Sequence, residues 1–206
     1  EIAEGYGINY LLNQLNFRPD YVVICEPSNL KIVIGHKGRA EIKITVYGKA
    51  AHASIPEKGK NAVYDAIKII ENIKLLNEKY SKTYTDCPLG KPVISVTKVE
   101  TETPSINTIP NNCTIYIDRR TVIDETKSNV RSELLKVCKA SKVKAKVEFL
   151  KKFFNAWILP EEHRFVRFAV DAYRKSYNIS PDVIVWPFCT NGSFTMGERK
   201  IPTIGF

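Results

Sequence analysis

The stretch Ile42-Lys43-Ile44-Thr45-Val46 alternates apolar and polar side chains, which is typical of a β-strand with one buried face. After it, residues 61–77 carry apolar side chains at helical spacing, and residues 93–99 and 113–118 indicate two more strands. A second helix is predicted over residues 125–140 and a last strand over residues 143–150. The order β-α-β-β-α-β predicts a ferredoxin-like domain, in which two helices cover one face of an antiparallel sheet.

The segments on either side have a different pattern. Residues 5–15 predict a helix, and the continuous apolar run at residues 21–25 predicts a buried parallel strand. A further helix over residues 161–177 is followed by short apolar strands at residues 183–186 and 202–206. We therefore predict an α/β catalytic domain formed by residues 1–39 and 152–206, interrupted by a ferredoxin-like α+β lid formed by residues 40–151.

The composition excludes several classes of function. The 206 residues are 44% hydrophobic with a net charge of +9, and the lysines are scattered along the chain, so we expect no nucleic-acid partner. Apolar runs fall short of the ~20 residues that a membrane helix needs, so we expect no membrane partner either. Five widely spaced cysteines predict small buried side chains and a cytoplasmic location.

Several motifs along the chain resemble those of one known family. They are Cys25-Glu26-Pro27-Ser28, Gly35-His36-Lys37-Gly38-Arg39, Gly48-Lys49-Ala50-Ala51-His52-Ala53-Ser54, Asn107-Thr108-Ile109-Pro110, Asp118-Arg119-Arg120 and Thr190-Asn191-Gly192. In this order they resemble the zinc-dependent metallopeptidases and amidohydrolases that include aminoacylase, acetylornithine deacetylase, succinyl-diaminopimelate desuccinylase and glutamate carboxypeptidase (metallopeptidase family twenty). The run at residues 186–192 is most similar to a peptidase-like branch that is linked to selenium metabolism.

The resemblance implies a site with two zinc ions, with cobalt or manganese as alternative metals. Such ions polarise an amide carbonyl and activate a water molecule. Glu26 matches a terminal ligand of one metal, and Glu1 matches a ligand of the other. No His-x-Asp segment occurs, so we expect the general base and the remaining ligands to lie outside this sequence. The chain is then expected to be a fragment that lacks both ends of the enzyme and is inactive alone.

The resemblance also implies residues that contact the substrate. His52 matches the lid histidine that, in dimeric family members, reaches the partner subunit's site and hydrogen-bonds the developing oxyanion. The other matches to substrate contacts are Asn107, Arg120, Thr190, Asn191 and Gly192. A guanidinium binds a carboxylate through two parallel hydrogen bonds, which suits Arg120 to a substrate with a free carboxylate.

The sequence thus predicts a metal-dependent hydrolase that cleaves an amide or peptide bond next to a free carboxylate. We expect a small peptide or N-acyl amino acid as substrate, and a homodimer formed through the lid. One alternative is a ferredoxin-like binding module, although Tyr116 is the only aromatic residue on its two central strands. Another is a non-catalytic, dimerising member of the family. We expect structural roles for Arg119, His36 and His163.

Overall fold

The computed structural model describes residues 5–206, so Glu1 lies outside the described residues. The strands are β1 (Val22–Ile24), β2 (Ile32–His36), β3 (Gly38–Tyr47), β4 (Ala51–His52), β5 (Val93–Glu100), β6 (Thr108–Ile109), β7 (Asn112–Thr121), β8 (Ala145–Phe149), β9 (Trp157–Ile158), β10 (Val183–Trp186) and β11 (Thr203–Gly205). The α-helices are α1 (Tyr6–Asn9), α2 (Ala62–Thr83), α3 (Lys127–Ala140) and α4 (Arg164–Tyr177). Short π-helical segments span Tyr10–Gln14 and Ser193–Glu198, and a 3-10 turn spans Pro56–Lys58.

The ferredoxin-like prediction is confirmed by a four-stranded sheet, here named the lid sheet, in the order β5-β7-β3-β8. All of its pairs are antiparallel. The helices α2 and α3 cover one face and share its apolar core with residues such as Ile42 and Ile44. Each helix begins at a polar cap: the side chain of Asn61 accepts from the N–H of Val63, and Thr126 opens a capping box at α3.

The other face of the lid sheet, here named its open face, carries polar side chains. Burial alternates along β7, so that Ile115 and Ile117 point into the core while Tyr116 and Asp118 do not. The register sets the neighbours on this face, because Arg39 of β3 lies directly opposite Arg120 of β7.

A second, mixed sheet has the order β1-β11-β2-β10, with β9 beside β2. β1 is parallel to β11 as its apolar run suggested, but the prediction that this strand is buried was wrong. β1 lies at the edge of the sheet, and Val23 is 51% exposed. Cys25, expected to be buried, is also exposed, whereas Cys113 and Cys138 are buried.

The chain passes between the two sheets at two neighbouring points. Lys37 alone separates β2 from Gly38, the first residue of β3, and Arg39 forms an isolated bridge with Phe154 on the return. A Cβ atom at Gly38 would overlap the carbonyl oxygen of Phe154, so only glycine allows this close approach. The domain limits at residues 40 and 151 stay a prediction. Within residues 5–206, no helix is both long and apolar enough to cross a membrane.

Candidate functional site

His52 is exposed and ends β4, which pairs with β6 in a small two-stranded sheet at one end of the lid sheet. The backbone N–H of Ser54 donates to its Nδ1 over 3.2 Å, and the Ser54 hydroxyl lies 2.7 Å from the same atom. An amide N–H can only donate, so Nδ1 is an acceptor and the neutral ring carries its proton on Nε2. The Asn107 Nδ2 lies 3.2 Å from Nε2. Because an amide nitrogen and an Nε2–H are both donors, this pair needs the Asn107 amide turned by 180°, so that its oxygen accepts the proton. His52 and Asn107 therefore form one exposed pair with a hydrogen-bond donor.

Arg120 lies at the other end of β7, on the open face of the lid sheet. Its Nε donates to Oδ1 of Asp118 over 2.6 Å, and its Nη2 donates to Oδ2 over 3.1 Å. Arg39 contacts the same carboxylate from the opposite strand, at 3.3 Å, and also binds Glu41. Lys151 lies 3.5 Å from Glu41 and completes what we name the charge cluster. Three members of the cluster, Arg39, Glu41 and Asp118, border a cavity of about 310 Å³.

The loop of residues 189–192 is held by a buried histidine. The N–H of Thr190 donates to Nε2 of His36 over 3.2 Å, and the His36 Nδ1–H donates to the carbonyl of Lys37 over 2.9 Å. Burial lowers the pKa of His36 to about 4, so the ring is neutral near pH 7. His36 thus has the expected structural role. So does His163, which caps α4 by accepting from the N–H of Phe165.

The three predicted substrate contacts in this loop differ in their access to a ligand. Thr190 and Gly192 are buried, and the N–H of Gly192 already donates to Thr190 Oγ1 over 3.1 Å. Gly192 also packs against the ring of Trp157, where a Cβ atom would overlap. Asn191 is exposed, so it is the member of the three whose side chain is free to face a ligand.

Arg120 and this loop lie close together. Burial raises the pKa of the Cys189 thiol, and the nearby Arg120 and Arg39 charges oppose this increase. The Arg120 charge also lowers the pKa of His36, after the larger effect of burial. The Arg120 charge is therefore within electrostatic range of Cys189 and His36, at the base of the loop that contains Asn191.

Glu26 follows β1 by two residues and is exposed. The next residue, Pro27, accepts a hydrogen bond from the indole N–H of Trp186 at 3.1 Å. Trp186 in turn stacks on Phe188 with ring centres 5.5 Å apart. The Trp186 side chain thereby links the Glu26 segment to the chain that enters the 189–192 loop.

The described residues supply only part of a metal site. An exposed carboxylate such as Glu26 suits a terminal zinc ligand. Among residues 5–206, however, no three His, Cys, Asp or Glu side chains lie together in a way that could hold an ion. The described residues therefore supply one candidate ligand and do not form a complete site.

The His52 and Asn107 pair is remote from Arg120. β4 pairs with β6, which leads into Asn112 at the start of β7, whereas Arg120 is near the end of that strand. At ~3.4 Å per residue, the distance from Asn112 to Arg120 along β7 is roughly 27 Å. One chain thus does not bring its predicted oxyanion donor and its predicted carboxylate-binding residue together.

Several contributors to this geometry were not recognised from the sequence. Asp118 holds Arg120 and is itself held by Arg39, Ser54 fixes the proton on His52, and Trp186 joins two segments. The spacing Asp118-x-Arg120 was the one available signal, since residues two apart on a strand share a face. The pairing of Arg39 with Asp118 depends on the register, which no local pattern specifies.

These features define a class of protein in which a ferredoxin-like domain is joined to an α/β domain by two neighbouring crossings. The model of the peptidase dimerisation domain of the M20 family matches residues 34–146. The chain therefore belongs to the M20 peptidase family.

Relatives and solved structures agree with this assignment. The chain is 30% identical over 220 residues to the Escherichia coli K12 protein YgeY, covering 100% of this chain and 54% of YgeY. It is 31% identical over 103 residues to acetylornithine deacetylase of Buchnera aphidicola, covering 48% of this chain and 26% of that enzyme. The chain thus spans about half the length, or less, of the curated relatives it matches.

The fold is similar to that of two solved peptidases. Aminopeptidase PepT from Bacillus cereus superposes with a TM-score of 0.73 at 18% identity, over 99% of this chain and 53% of PepT. The M20 family metallo-carboxypeptidase Sso-CP2 from Sulfolobus solfataricus superposes with a TM-score of 0.70 at 17% identity, over 98% of this chain and 58% of that one.

Proposed function

We propose that this chain forms the lid and an adjoining part of a metal-dependent hydrolase that cleaves an amide or peptide bond next to a free carboxylate. Membership of a family with peptidase and deacylase relatives supports hydrolysis. The observation that carries the carboxylate preference is the guanidinium of Arg120. Within residues 5–206 its Nη1 has no acceptor, although Asp118 holds its Nε and Nη2. The Nη1 group of Arg120 can therefore donate hydrogen bonds to the carboxylate of a small peptide or N-acyl amino acid.

The described residues have separate tasks in this proposal. Arg120 binds the substrate carboxylate, and Asn191 contacts the substrate from the neighbouring loop. The Nε2–H of His52 exchanges its contact with Asn107 for the carbonyl oxygen of the substrate, and donates to it as negative charge develops there. Two zinc ions, with Glu26 and Glu1 among their ligands, supply Lewis acidity and an activated water when bound.

The proposed enzyme is a homodimer. A substrate the size of a dipeptide cannot span the roughly 27 Å that eight residues of β7 cover. His52 and Arg120 can therefore serve one substrate only if they come from different chains. A two-fold axis then has to bring β4 of one chain, with His52, to the Arg120 end of β7 in its partner. The family's description as a dimerisation domain supports this arrangement.

The features of the two sheet edges favour β5 as the dimer contact. The lid sheet ends in β5 and in β8. Beside β5, helix α2 exposes Tyr64 and Ile67, at 67% and 47%. Lys144 and Lys146 are exposed at β8, where a two-fold axis would bring like charges together. Pairing through β5 buries apolar surface and extends the sheet across the dimer axis.

The proposal is tested by hydrolysis assays on the whole protein that contains this chain. The panel is a set of N-acetyl-L-amino acids and dipeptides, each compared with its C-terminal amide. We expect hydrolysis that is abolished by a chelator, is restored by zinc, and is much faster for the free acids. A dimer that hydrolyses no member of the panel would instead support the non-catalytic alternative.

A further inference from the structure

Asp118 fixes the guanidinium of Arg120 in one orientation. Its two carboxylate oxygens receive the Nε and Nη2 hydrogen bonds at 2.6 and 3.1 Å, so they occupy one edge of the planar fork. An arginine has five N–H donors in a rigid arrangement, and an edge-on pair of this kind sets the plane as well as the position of the group. The remaining donors, including Nη1, then point in a fixed direction.

The β7 strand explains why Asp118 can do this. Residues two apart on a strand lie on the same face, so Asp118 and Arg120 are neighbours on the open face of the lid sheet. Arg39 lies directly opposite Arg120 and contacts Asp118 at 3.3 Å, which holds the carboxylate from its other side. The carboxylate is therefore itself held between two guanidinium groups.

The charge cluster keeps an excess of positive charge despite the two acids. It contains three cations, Arg39, Arg120 and Lys151, against the carboxylates of Asp118 and Glu41. Asp118 alone would cancel much of the attraction of Arg120 for an anion. Because Arg39 offsets Asp118, the fork of Arg120 can be fixed without losing its attraction for a carboxylate.

The Asp118–Arg120 pair is partly exposed, unlike the buried ion pairs of the same strand. The two side chains are 24% and 25% exposed. Isolated ion pairs in contact with water contribute little to stability, whereas bidentate pairs within a charge network contribute more. The buried ion pairs of β7 are on the opposite face, where Arg119 is 0% exposed and binds Glu125 and Glu133. The Asp118–Arg120 pair is thus accessible enough to act on a substrate, and the comparison of acid with amide below separates that role from a stabilising one.

We infer that Asp118 is a positioning residue, which acts through Arg120 by presenting its free edge to the substrate carboxylate. The inference rests on the proposed function of Arg120. A flexible arginine would have to lose the freedom of its long side chain on binding each substrate, and a fixed one does not. Asp118 thus sets the preference for free acids without touching the substrate.

The test compares three variants in the whole protein: Asp118→Asn, Arg120→Lys and the double variant. Glu148→Gln is the matched control, because it removes the same charge from the same face but pairs with Lys43 and Lys146, outside the charge cluster. The probes are a free acid of the panel above that the wild-type protein hydrolyses, and its C-terminal amide. We expect Asp118→Asn to raise KM for the acid about tenfold, the effect of one charge-assisted hydrogen bond, with kcat and the amide changed less than about twofold.

The double variant distinguishes positioning from an independent effect. If Asp118 acts through Arg120, the double variant loses no more discrimination between acid and amide than Arg120→Lys alone. Losses that multiply, or a Glu148→Gln variant that matches Asp118→Asn, would overturn the positioning role. If Arg120→Lys weakens the acid more than the amide and Asp118→Asn does not, the inference fails while the proposed function stands. A wild-type protein that hydrolyses no acid of the panel, or an Arg120→Lys variant that loses acid and amide equally, overturns both.

Discussion

His52 lies on β4, which pairs with β6 just before β7 begins, and Arg120 lies near the far end of β7. The strand covers roughly 27 Å between Asn112 and Arg120. His52 carries a hydrogen-bond donor on Nε2, and the Nη1 of Arg120 has no acceptor within residues 5–206. A substrate that uses both has to lie between two chains. The proposed enzyme therefore depends on a composite site, and the lid is the element that builds it.

Replacing Arg120 by lysine should weaken substrates with a free carboxylate much more than their amides. The loss of a charge-assisted hydrogen bond is worth ~1.5–3 kcal/mol, about a ten- to hundredfold change in kcat/KM. Steady-state kinetics on acid and amide pairs measure this difference. An equal loss for both members of each pair would remove Arg120 from the substrate site.

Replacing His52 by alanine should lower kcat about 10²–10³-fold and leave KM nearly unchanged, as expected when one oxyanion donor is lost. His163→Ala is the matched control, because His163 caps α4 and should change stability without changing kcat. Kinetic assays of both variants provide the comparison. If KM rises and kcat stays constant in His52→Ala, the ring binds the ground state and not the oxyanion.

The pH dependence of stability should contain a component from His36. Its folded pKa of about 4 is below the ordinary 6.5, so protonation favours the unfolded chain. The stability that the neutral ring contributes is full above pH 6.5 and is lost as pH falls toward 4, by up to ~3 kcal/mol. His36→Gln, whose side chain can still accept from Thr190, should lack this component.

Urea unfolding at pH values of about 7, 5.5 and 4 measures this component. The difference in unfolding free energy between wild type and His36→Gln should shrink steadily as pH falls. Parallel pH profiles for the two proteins would show that His36 does not titrate between its folded and unfolded pKa values.

Replacing Arg119 by methionine should strongly destabilise the ferredoxin-like domain. Arg119 is fully buried, binds Glu125 at 2.5 Å and lies over the ring of Tyr80 at 4.7 Å. Its loss leaves carboxylates without their cation, which costs about 3–5 kcal/mol. Arg167→Met, at an exposed position on α4, is the control and should change the urea midpoint little. Equal shifts for both variants would contradict the buried network.

The fold was largely predictable because its longer elements have strong periodicity. The alternation at residues 42–46 and the apolar spacing at residues 61–77 lie in β3 and α2, which form the core of the lid. The short strands β2 and β9 were missed, because two to five residues carry no period that distinguishes them from a loop. The burial of residues 21–25 was overestimated, because whether a strand lies at an edge depends on its partners and not on its own residues.

The site was predictable only in its residue types. A family resemblance identified His52, Asn107 and Arg120, and these roles stay predictions. The contact of Arg39 with Asp118 follows from the β3–β7 register, which is a property of two strands that are distant in sequence. The proton position of His52 follows from the fold of the turn at Ser54. Such features arise only when the chain has folded.

The most direct test of the composite site is a mixed dimer of the whole protein. One subunit carries His52→Ala and the other Arg120→Ala, and the hybrid is purified through two different affinity tags. If each site is shared between chains, one of the two sites in the hybrid unites the intact Arg120 of one chain with the intact His52 of its partner. The hybrid should therefore have about half the wild-type kcat/KM for an N-acetyl-L-amino acid, although each parent dimer is almost inactive. A pure hybrid that is no more active than its parents would show that His52 does not serve the site of the partner chain.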